Sequence, residues 1–264
     1  MIFASASERE QYSPSISESL YAEWNGHKFA RVFNPEKDLP GAAETIYRDF
    51  RSYVFGQDFS CIGAKAAFNG SLFRIALYNK MNEPETNEAL GRDLRAFADE
   101  QRRFGSDYAS FAAVFEEAAM DDEKTWEDTL WRQLENLHRL DPSPEWDPSV
   151  GSDPDKADFS FSFAGTGFFV VGLHPQSSRY TRRFSRAALV FNPHAQFERL
   201  RQTGRYERMQ KTIRAREMKL QGSLNPNLSD FGTASEARQY SGRAVEKEWK
   251  CPFHALFKKS ANDE

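Results

Sequence analysis

Residues 159–175 read FSFSFAGTGFFVVGLHP, and this stretch decides the fold class. Phenylalanine alternates with serine over 159–163, small residues occupy 164–167, and 168–173 is a nearly continuous apolar run. The alternation, the turn chemistry and the apolar run predict a β-hairpin whose second strand is buried. Because Pro175 cannot continue a strand ladder, the chain must leave the sheet with His174 held at the strand's end.

A second strand and a second histidine follow. Residues 187–191 read AALVF and predict a short buried strand. Asn192 is suited to cap a helix and Pro193 to begin it, so His194 is predicted in the first turn of that helix. Both imidazoles are thus expected at element ends, where geometry is fixed and access remains. The alternative for each is a histidine that only makes a structural hydrogen bond.

Helical periodicity dominates the regions on either side of these strands. Residues 41–54 predict an entry helix, residues 71–78 a strand, and residues 87–140 three helices. After His194 one helix is predicted up to Gly204 and another up to about residue 220, where Gly222 ends it. The combined prediction is a single α+β domain over residues 21–256, with a small, mainly antiparallel sheet flanked by helices. Residues 1–20 are expected to form a loose arm and residues 257–264 a polar tail.

Composition narrows the class of protein. The chain has 264 residues, 39% of them hydrophobic, which suffices for a substantial core. It contains no run of about 18 apolar residues and no basic, apolar signal segment at its start, so we expect a cytoplasmic protein without a membrane partner. Its two cysteines cannot form a disulfide framework. The 23 phenylalanines suit either an ordinary core or a cavity for a flat apolar ligand.

The net charge of −4 conceals an uneven distribution. Residues 171–222 contain 12 Lys and Arg and 3 Glu, a net charge of +9, which leaves −13 for the remainder. A basic segment of this kind favours an anionic ligand. An anion or nucleic-acid binder is therefore one interpretation, but the acidic balance of the whole chain and the lack of a nucleic-acid reading motif count against it.

Several motifs occur in order along the second half of the chain: HPQSSR at 174–179, RRF at 182–184, FNPHAQF at 191–197, QGSLNP at 221–226 and CPF at 251–253. Together they resemble the YqcI/YcgG family, which includes haem-dependent N-oxygenases acting on guanidino and amino nitrogens. The resemblance also extends to Cys61, although Ser60 stands where many relatives have proline. It implies haem b as cofactor, dioxygen as co-substrate, an electron donor and a small amine or guanidine as substrate.

The residues suggest how haem would be held. Haem needs an axial donor, an apolar slot and cations for its propionates. His174 is the first candidate for the iron ligand, and His194 and Cys251 are alternatives. The propionates would be bound by Ser178, Arg179, Arg182 and Arg183. For these arginines the alternative is a solvated, salt-bridged surface.

The remaining candidate residues concern the distal side of the haem. If His174 binds the iron, His194 would act there as a catalytic residue, and Glu198 or Glu236 would supply the carboxylate that a cationic substrate requires. A haem carrier or sensor, without a substrate pocket, is the non-catalytic alternative. A homodimer is left open.

Overall fold

The computed structural model describes residues 18–141, 143, 145–230 and 232–254. The strands are β1 (Ala22–Trp24), β2 (Phe29–Arg31), β3 (Phe73–Lys80), β4 (Ser110–Glu117), β5 (Phe161–Phe163), β6 (Thr166–Leu173) and β7 (Ala187–Pro193). The helices are α1 (Gly41–Phe55), α2 (Ile62–Asn69), α3 (Pro84–Gln101), α4 (Glu123–Leu140), α5 (His194–Gln202), α6 (Arg205–Gln221) and α7 (Ala237–Tyr240), with one 3₁₀ turn at Tyr180–Arg182.

The strands form one sheet in the order β2-β1-β3-β4-β7-β6-β5. Strands β3 and β4 are parallel, with α3 as the crossover between them, and the other neighbouring pairs are antiparallel. The predicted α+β class with a mainly antiparallel sheet is therefore confirmed. The predicted arm and tail lie outside the described residues, apart from Glu18 to Leu20 at the end of the arm.

The predicted hairpin is present as β5 and β6, with Phe163 paired to Thr166. Its turn consists of only two residues, Ala164 at φ 51° and Gly165 at φ 65°. Two successive left-handed residues match the right-handed twist of the flanking strands. Strand β6 then runs along β7, from Phe168 beside Pro193 to Leu173 beside Ala188.

Two local predictions need correction. Residues 87–140 contain helices α3 and α4 but not a third helix, because the buried run SFAAVF forms β4 in the middle of the sheet. No element was predicted for residues 62–69, which form helix α2. Strand β7 continues through Pro193, and Asn192 does not cap α5 because its side chain bonds Ser110 and the carbonyl oxygen of Phe169.

Apolar side chains cover both faces of the sheet. On one face the core includes Phe111, Phe168 and Phe191 and packs against α3, α4 and α7. On the other face the core includes Phe73, Val114 and Leu173 and packs against α1 and α2. Alternation along each strand assigns neighbouring residues to opposite cores.

Helix α6 is attached to the second face in a different way. None of its 17 residues is buried. Gly204 at φ 64° and Gly222 at φ 72° flank it, and each adopts a left-handed conformation that favours glycine. Polar contacts such as Arg214 to Asp230 hold the helix in place. This helix therefore covers the sheet without belonging to either core.

Candidate functional site

A cavity of about 200 Å³ lies between the second face of the sheet and helices α1, α2 and α6. Its walls are mainly apolar, with Phe50 and Val54 from α1, Phe73 from β3 and Val171 from β6 among them. Its polar lining residues are Ser60, Cys61, Thr181, Arg182, Asn192, Glu217 and Gln239. An apolar cavity with a few polar groups is the usual form of a small-molecule site.

Cys61 precedes α2 and brings a thiol to this cavity. The thiol makes no capping hydrogen bond to the helix, but the backbone N–H groups of Ala64 and Gly63 contribute to its electrostatic environment. Burial raises the pKa of the Cys61 thiol, while these two N–H groups and the charges of Arg182 and Lys65 act to lower it. Donors and cations of this kind stabilise a thiolate once a metal or another electrophile is present.

Glu217 of α6 brings a carboxylate to the same cavity. Its Oε1 accepts a hydrogen bond from the Thr181 hydroxyl at 3.0 Å. Its Oε2 is buried and accepts no hydrogen bond from any residue that the structure describes. Nη2 of Arg179 lies 3.7 Å from this oxygen, within ion-pair distance but beyond hydrogen-bond distance. A buried carboxylate oxygen with unused acceptor capacity is suited to a cationic ligand.

Arg182 lines the cavity, but its guanidinium is already engaged. It donates to the carbonyl oxygens of Gly172, Tyr240 and Gln239 at 3.0–3.2 Å. Burial lowers its pKa, while the negative charge of Glu217 acts in the opposite direction. In the structure Arg182 therefore ties the end of β6 to α7.

The other predicted propionate-binding residues also have partners within the protein. Arg179 donates both guanidinium nitrogens to Ser223. Arg183 donates to the carbonyl oxygen of Ser177 and stacks over the ring of Tyr180. The backbone N–H of Ser178 donates to Glu123 at 2.8 Å. None of these three lines the cavity, and their propionate role stays a prediction.

His174 is fully buried on the opposite face of the sheet from the cavity. Leu173 lines the cavity, whereas the His174 ring stacks on Trp126 of α4 with centroids 5.2 Å apart. Neither ring nitrogen has a hydrogen-bond partner in the described part of the chain, and burial lowers the pKa of the imidazole to about 4. The imidazole of His174 thus packs against α4 and does not line the Cys61 cavity, although the backbone N–H of His174 donates to the carbonyl oxygen of Arg182 at 3.1 Å.

His194 begins α5 as predicted, and it is buried. Burial lowers its pKa, while the charges of Glu198 and Asp147 act to raise it. Glu198 is 42% exposed and forms an ion pair with Arg201. Neither His194 nor Glu198 lines the 200 Å³ cavity.

Glu236 lines a smaller neighbouring cavity of about 80 Å³. This smaller cavity shares Phe169 and Gln239 with the larger one. The hydroxyls of Ser160 and Tyr240 donate to Glu236 Oε1 at 2.6 and 2.8 Å. Burial nevertheless raises the pKa of Glu236 to about 7, so its carboxyl holds a proton near neutral pH.

Cys251 packs against the core on the His174 side of the sheet. Burial raises the pKa of its thiol well above the usual range. No cation contributes to lowering that pKa, in contrast to the thiol of Cys61. Of the two cysteines, only Cys61 reaches the 200 Å³ cavity.

Residues 50–254 match the family model described as the YqcI/YcgG family. The chain belongs to the YqcI/YcgG family. The family match includes all the residues that line the Cys61 cavity.

Two curated proteins of Bacillus subtilis (strain 168) are similar to the chain. Uncharacterized protein YqcI is 32% identical over 218 residues, 78% of this chain and 85% of the relative. Uncharacterized protein YcgG is 30% identical over 208 residues, 75% of this chain and 81% of the relative. No solved structure shows significant similarity to this YqcI/YcgG member. Over the described residues, every helix is too short or too polar to cross a lipid bilayer.

Reasoning from sequence missed two residues of this site. Cys61 was noticeable because small residues follow it in CIGAKAA, which allows close backbone approach. Glu217 gave no such signal, since it stands among basic residues in a helix that has no strong apolar stripe.

Proposed function

We propose that this YqcI/YcgG member is a haem-dependent oxygenase that N-hydroxylates a small amine or guanidine in the Cys61 cavity. One observation carries the proposal: a single apolar cavity is lined both by a thiol whose pKa nearby cations act to lower and by a buried carboxylate oxygen that accepts no hydrogen bond from a described residue. The first group suits an iron ligand, and the second suits a cationic substrate. The family resemblance supports the same chemistry.

The residues present fit haem in their chemistry. A cysteine thiolate is a known kind of axial ligand, and the phenyl rings of Phe50, Phe59 and Phe73 provide apolar contact. The cavity volume is smaller than the 300–1,000 Å³ or so that is usual for cofactor pockets. Binding a porphyrin therefore requires an outward movement of α6, which belongs to neither core and is held by polar contacts such as those of Arg214 and Glu217.

Haem, when bound, would supply the activation of dioxygen. The protein's own residues would bind and orient the substrate. Glu217 would bind its positive charge through Oε2, and the aromatic walls would exclude water. Glu236, in the neighbouring cavity, would hold a proton near neutral pH for transfer towards the site.

The proposal places His174, His194 and Cys251 outside the role of iron ligand. The proposed partner is an electron donor, and neither nucleic acid nor a membrane is a proposed partner. The proposal places the protein in the cytoplasm, since both Cys61 and Cys251 are unpaired.

The test is a haem titration of the purified protein, followed by addition of amines and guanidines. We expect a Soret band at one haem per chain, a spectral shift with a cationic ligand, and an N-hydroxylated product when dioxygen and a reductant are supplied. Absence of a Soret band would overturn the proposal. A Soret band with neither a ligand shift nor a product would indicate a haem carrier or sensor instead.

A further inference from the structure

Helix α6 carries a continuous basic face on the side away from the cavity. At about 100° per residue, Ile213 and Glu217 point towards the cavity, and the opposite side collects the basic residues. These are Arg205, Arg208, Lys211, Arg216 and Lys219, all exposed. Only the small residues Thr212 and Ala215 lie among them on this side.

Most of this charge is not neutralised within the protein. Arg205 lies 3.5 Å from Asp107, but the other four side chains form no ion pair or hydrogen bond with any residue in the described ranges. Met218 on the same helix is 47% exposed, and Tyr180, whose N–H donates to Gln221 at the helix end, is 45% exposed. A basic stripe bordered by exposed apolar side chains is the composition of a protein interface.

The position of the stripe indicates what kind of partner it fits. A helix is about 10 Å thick, so a protein docked on α6 lies about one helix diameter from the cavity below. The chain outside α6 carries a net charge of −8. That charge would repel an extended polyanion such as a nucleic acid or a lipid surface, whereas a compact acidic protein can contact α6 alone.

We propose that the exposed face of α6 docks an acidic one-electron donor protein, such as a small iron–sulfur protein. The inference rests on the proposed function, because only a redox cofactor in the cavity would need this partner. The contact would be small and transient, as is usual for electron-transfer pairs, and it would weaken with salt. Electrostatic attraction would mainly speed the association of the two proteins.

The test compares two charge-reversal variants of the full chain. The first combines Arg208→Glu, Lys211→Glu, Arg216→Glu and Lys219→Glu. The matched control combines Lys28→Glu, Arg103→Glu, Lys247→Glu and Lys250→Glu, which are exposed elsewhere and have no ion pair with a described residue. Both variants change the net charge of the chain by the same amount. Any difference between them in partner binding therefore comes from the position of the substituted residues and not from total charge.

The first measurement is the dissociation constant for an acidic [2Fe–2S] ferredoxin at low salt, which does not depend on haem. The second is the rate of haem reduction by that ferredoxin and by dithionite. We expect the α6 variant to lose about tenfold or more in affinity and in ferredoxin-driven rate, while its reduction by dithionite stays unchanged. The control variant should stay within about twofold of wild type.

Equal losses in the two variants, or no loss in the α6 variant, would overturn the docking proposal. Tighter binding of wild type to phosphatidylserine vesicles or to an oligonucleotide than to the ferredoxin would also overturn it. Failure to bind haem would overturn the proposed function, and the binding measurement would still decide whether α6 is a docking face.

Discussion

His174 stacks on Trp126 with ring centroids 5.2 Å apart and planes 29° apart, on the face of the sheet that does not border the Cys61 cavity. Gly172 confirms this orientation, since a Cβ built on it would lie 3.0 Å from the Trp126 ring and 2.7 Å from Leu130. The imidazole is therefore part of the core against α4, where it is held neutral by burial.

The first prediction concerns acid stability. The pKa of His174 is about 4 in the folded protein and 6.5 ordinarily, so between these values the unfolded chain takes up a proton that the folded protein does not. Its contribution to stability is complete above pH 6.5 and falls as the pH drops towards 4. Wild type should therefore lose up to about 3 kcal/mol in the free energy of unfolding as the pH falls from 6.5 to 4, and His174→Phe should not show this loss.

Urea unfolding at pH 7, 5.5 and 4 measures this effect. The exposed His27, changed to Phe, is the matched control and should leave the pH dependence as in wild type. If His174→Phe and wild type show parallel pH profiles, then the imidazole titrates normally and is not held neutral.

The second prediction assigns the iron ligand. Cys61→Ser should bind haem more weakly and lose the spectrum of thiolate-ligated ferrous haem with carbon monoxide, because only Cys61 brings a sulfur to the cavity. His174→Phe should retain that spectrum, as should Cys251→Ser. Loss of the signal in His174→Phe, with a folded circular dichroism spectrum, would contradict the assignment to Cys61.

The third prediction concerns the cavity carboxylate. Glu217→Gln keeps the size of the side chain and its contact with Thr181 but removes the negative charge. Binding of a guanidinium or alkylammonium ligand should weaken by about 1.5–3 kcal/mol, the contribution of a charged hydrogen bond. Glu198→Gln is the control, because Glu198 is paired on the surface and lies outside the cavity. Ligand titrations that give the same affinity for both variants would exclude Glu217 as the recognition group.

The fourth prediction distinguishes a structural arginine from a cofactor-binding one. Arg182→Met removes the guanidinium donor from the carbonyl oxygens of Gly172, Gln239 and Tyr240, of which Gln239 keeps the N–H of Gly242. We expect a loss of about 3–5 kcal/mol in the free energy of unfolding even without haem. Arg205→Met, which removes an exposed ion pair with Asp107, should cost less than about 1 kcal/mol. If the two variants are equally stable, the structural role of Arg182 is contradicted, and Arg182 is again a candidate for binding an anion.

The sequence predicted those parts of the fold that depend on local pattern. The hairpin of β5 and β6 follows from alternation and turn residues, and the end of α6 follows from Gly222. Strand β4 was missed because a fully buried strand has no period, and its apolar run SFAAVF is short enough to belong to a helix.

The site was harder to predict because it depends on contacts between distant segments. His174 and Arg182 are close in sequence and their backbones are hydrogen-bonded, yet the imidazole packs against Trp126 while the Arg182 side chain lines the cavity. Cys61 and Glu217 are 156 positions apart, and they meet only because α6 returns over α2. A sequence motif groups residues that are close along the chain, whereas the fold brings together residues that are far apart in sequence.

The last prediction concerns Glu236. Its pKa is about 7 in the folded protein and 4.5 ordinarily, so folding favours the protonated carboxyl. The resulting stability is complete below pH 4.5 and is lost as the pH rises through 7. Glu236→Gln resembles the protonated form, and its amide oxygen can still accept from Ser160 and Tyr240.

The free energy of unfolding of Glu236→Gln should therefore rise relative to that of wild type as the pH increases. The difference between the two should grow by about 3 kcal/mol from pH 4.5 to pH 8. Thermal or urea unfolding across this range measures the gain, and Glu36→Gln is the control that should show none, because Glu36 is exposed and forms no ion pair with a described residue. A flat difference between Glu236→Gln and wild type would mean that the carboxyl is ionised throughout. In that case Glu236 could not hold the proton that the proposed reaction assigns to it, because a carboxyl that is ionised at neutral pH has none to transfer.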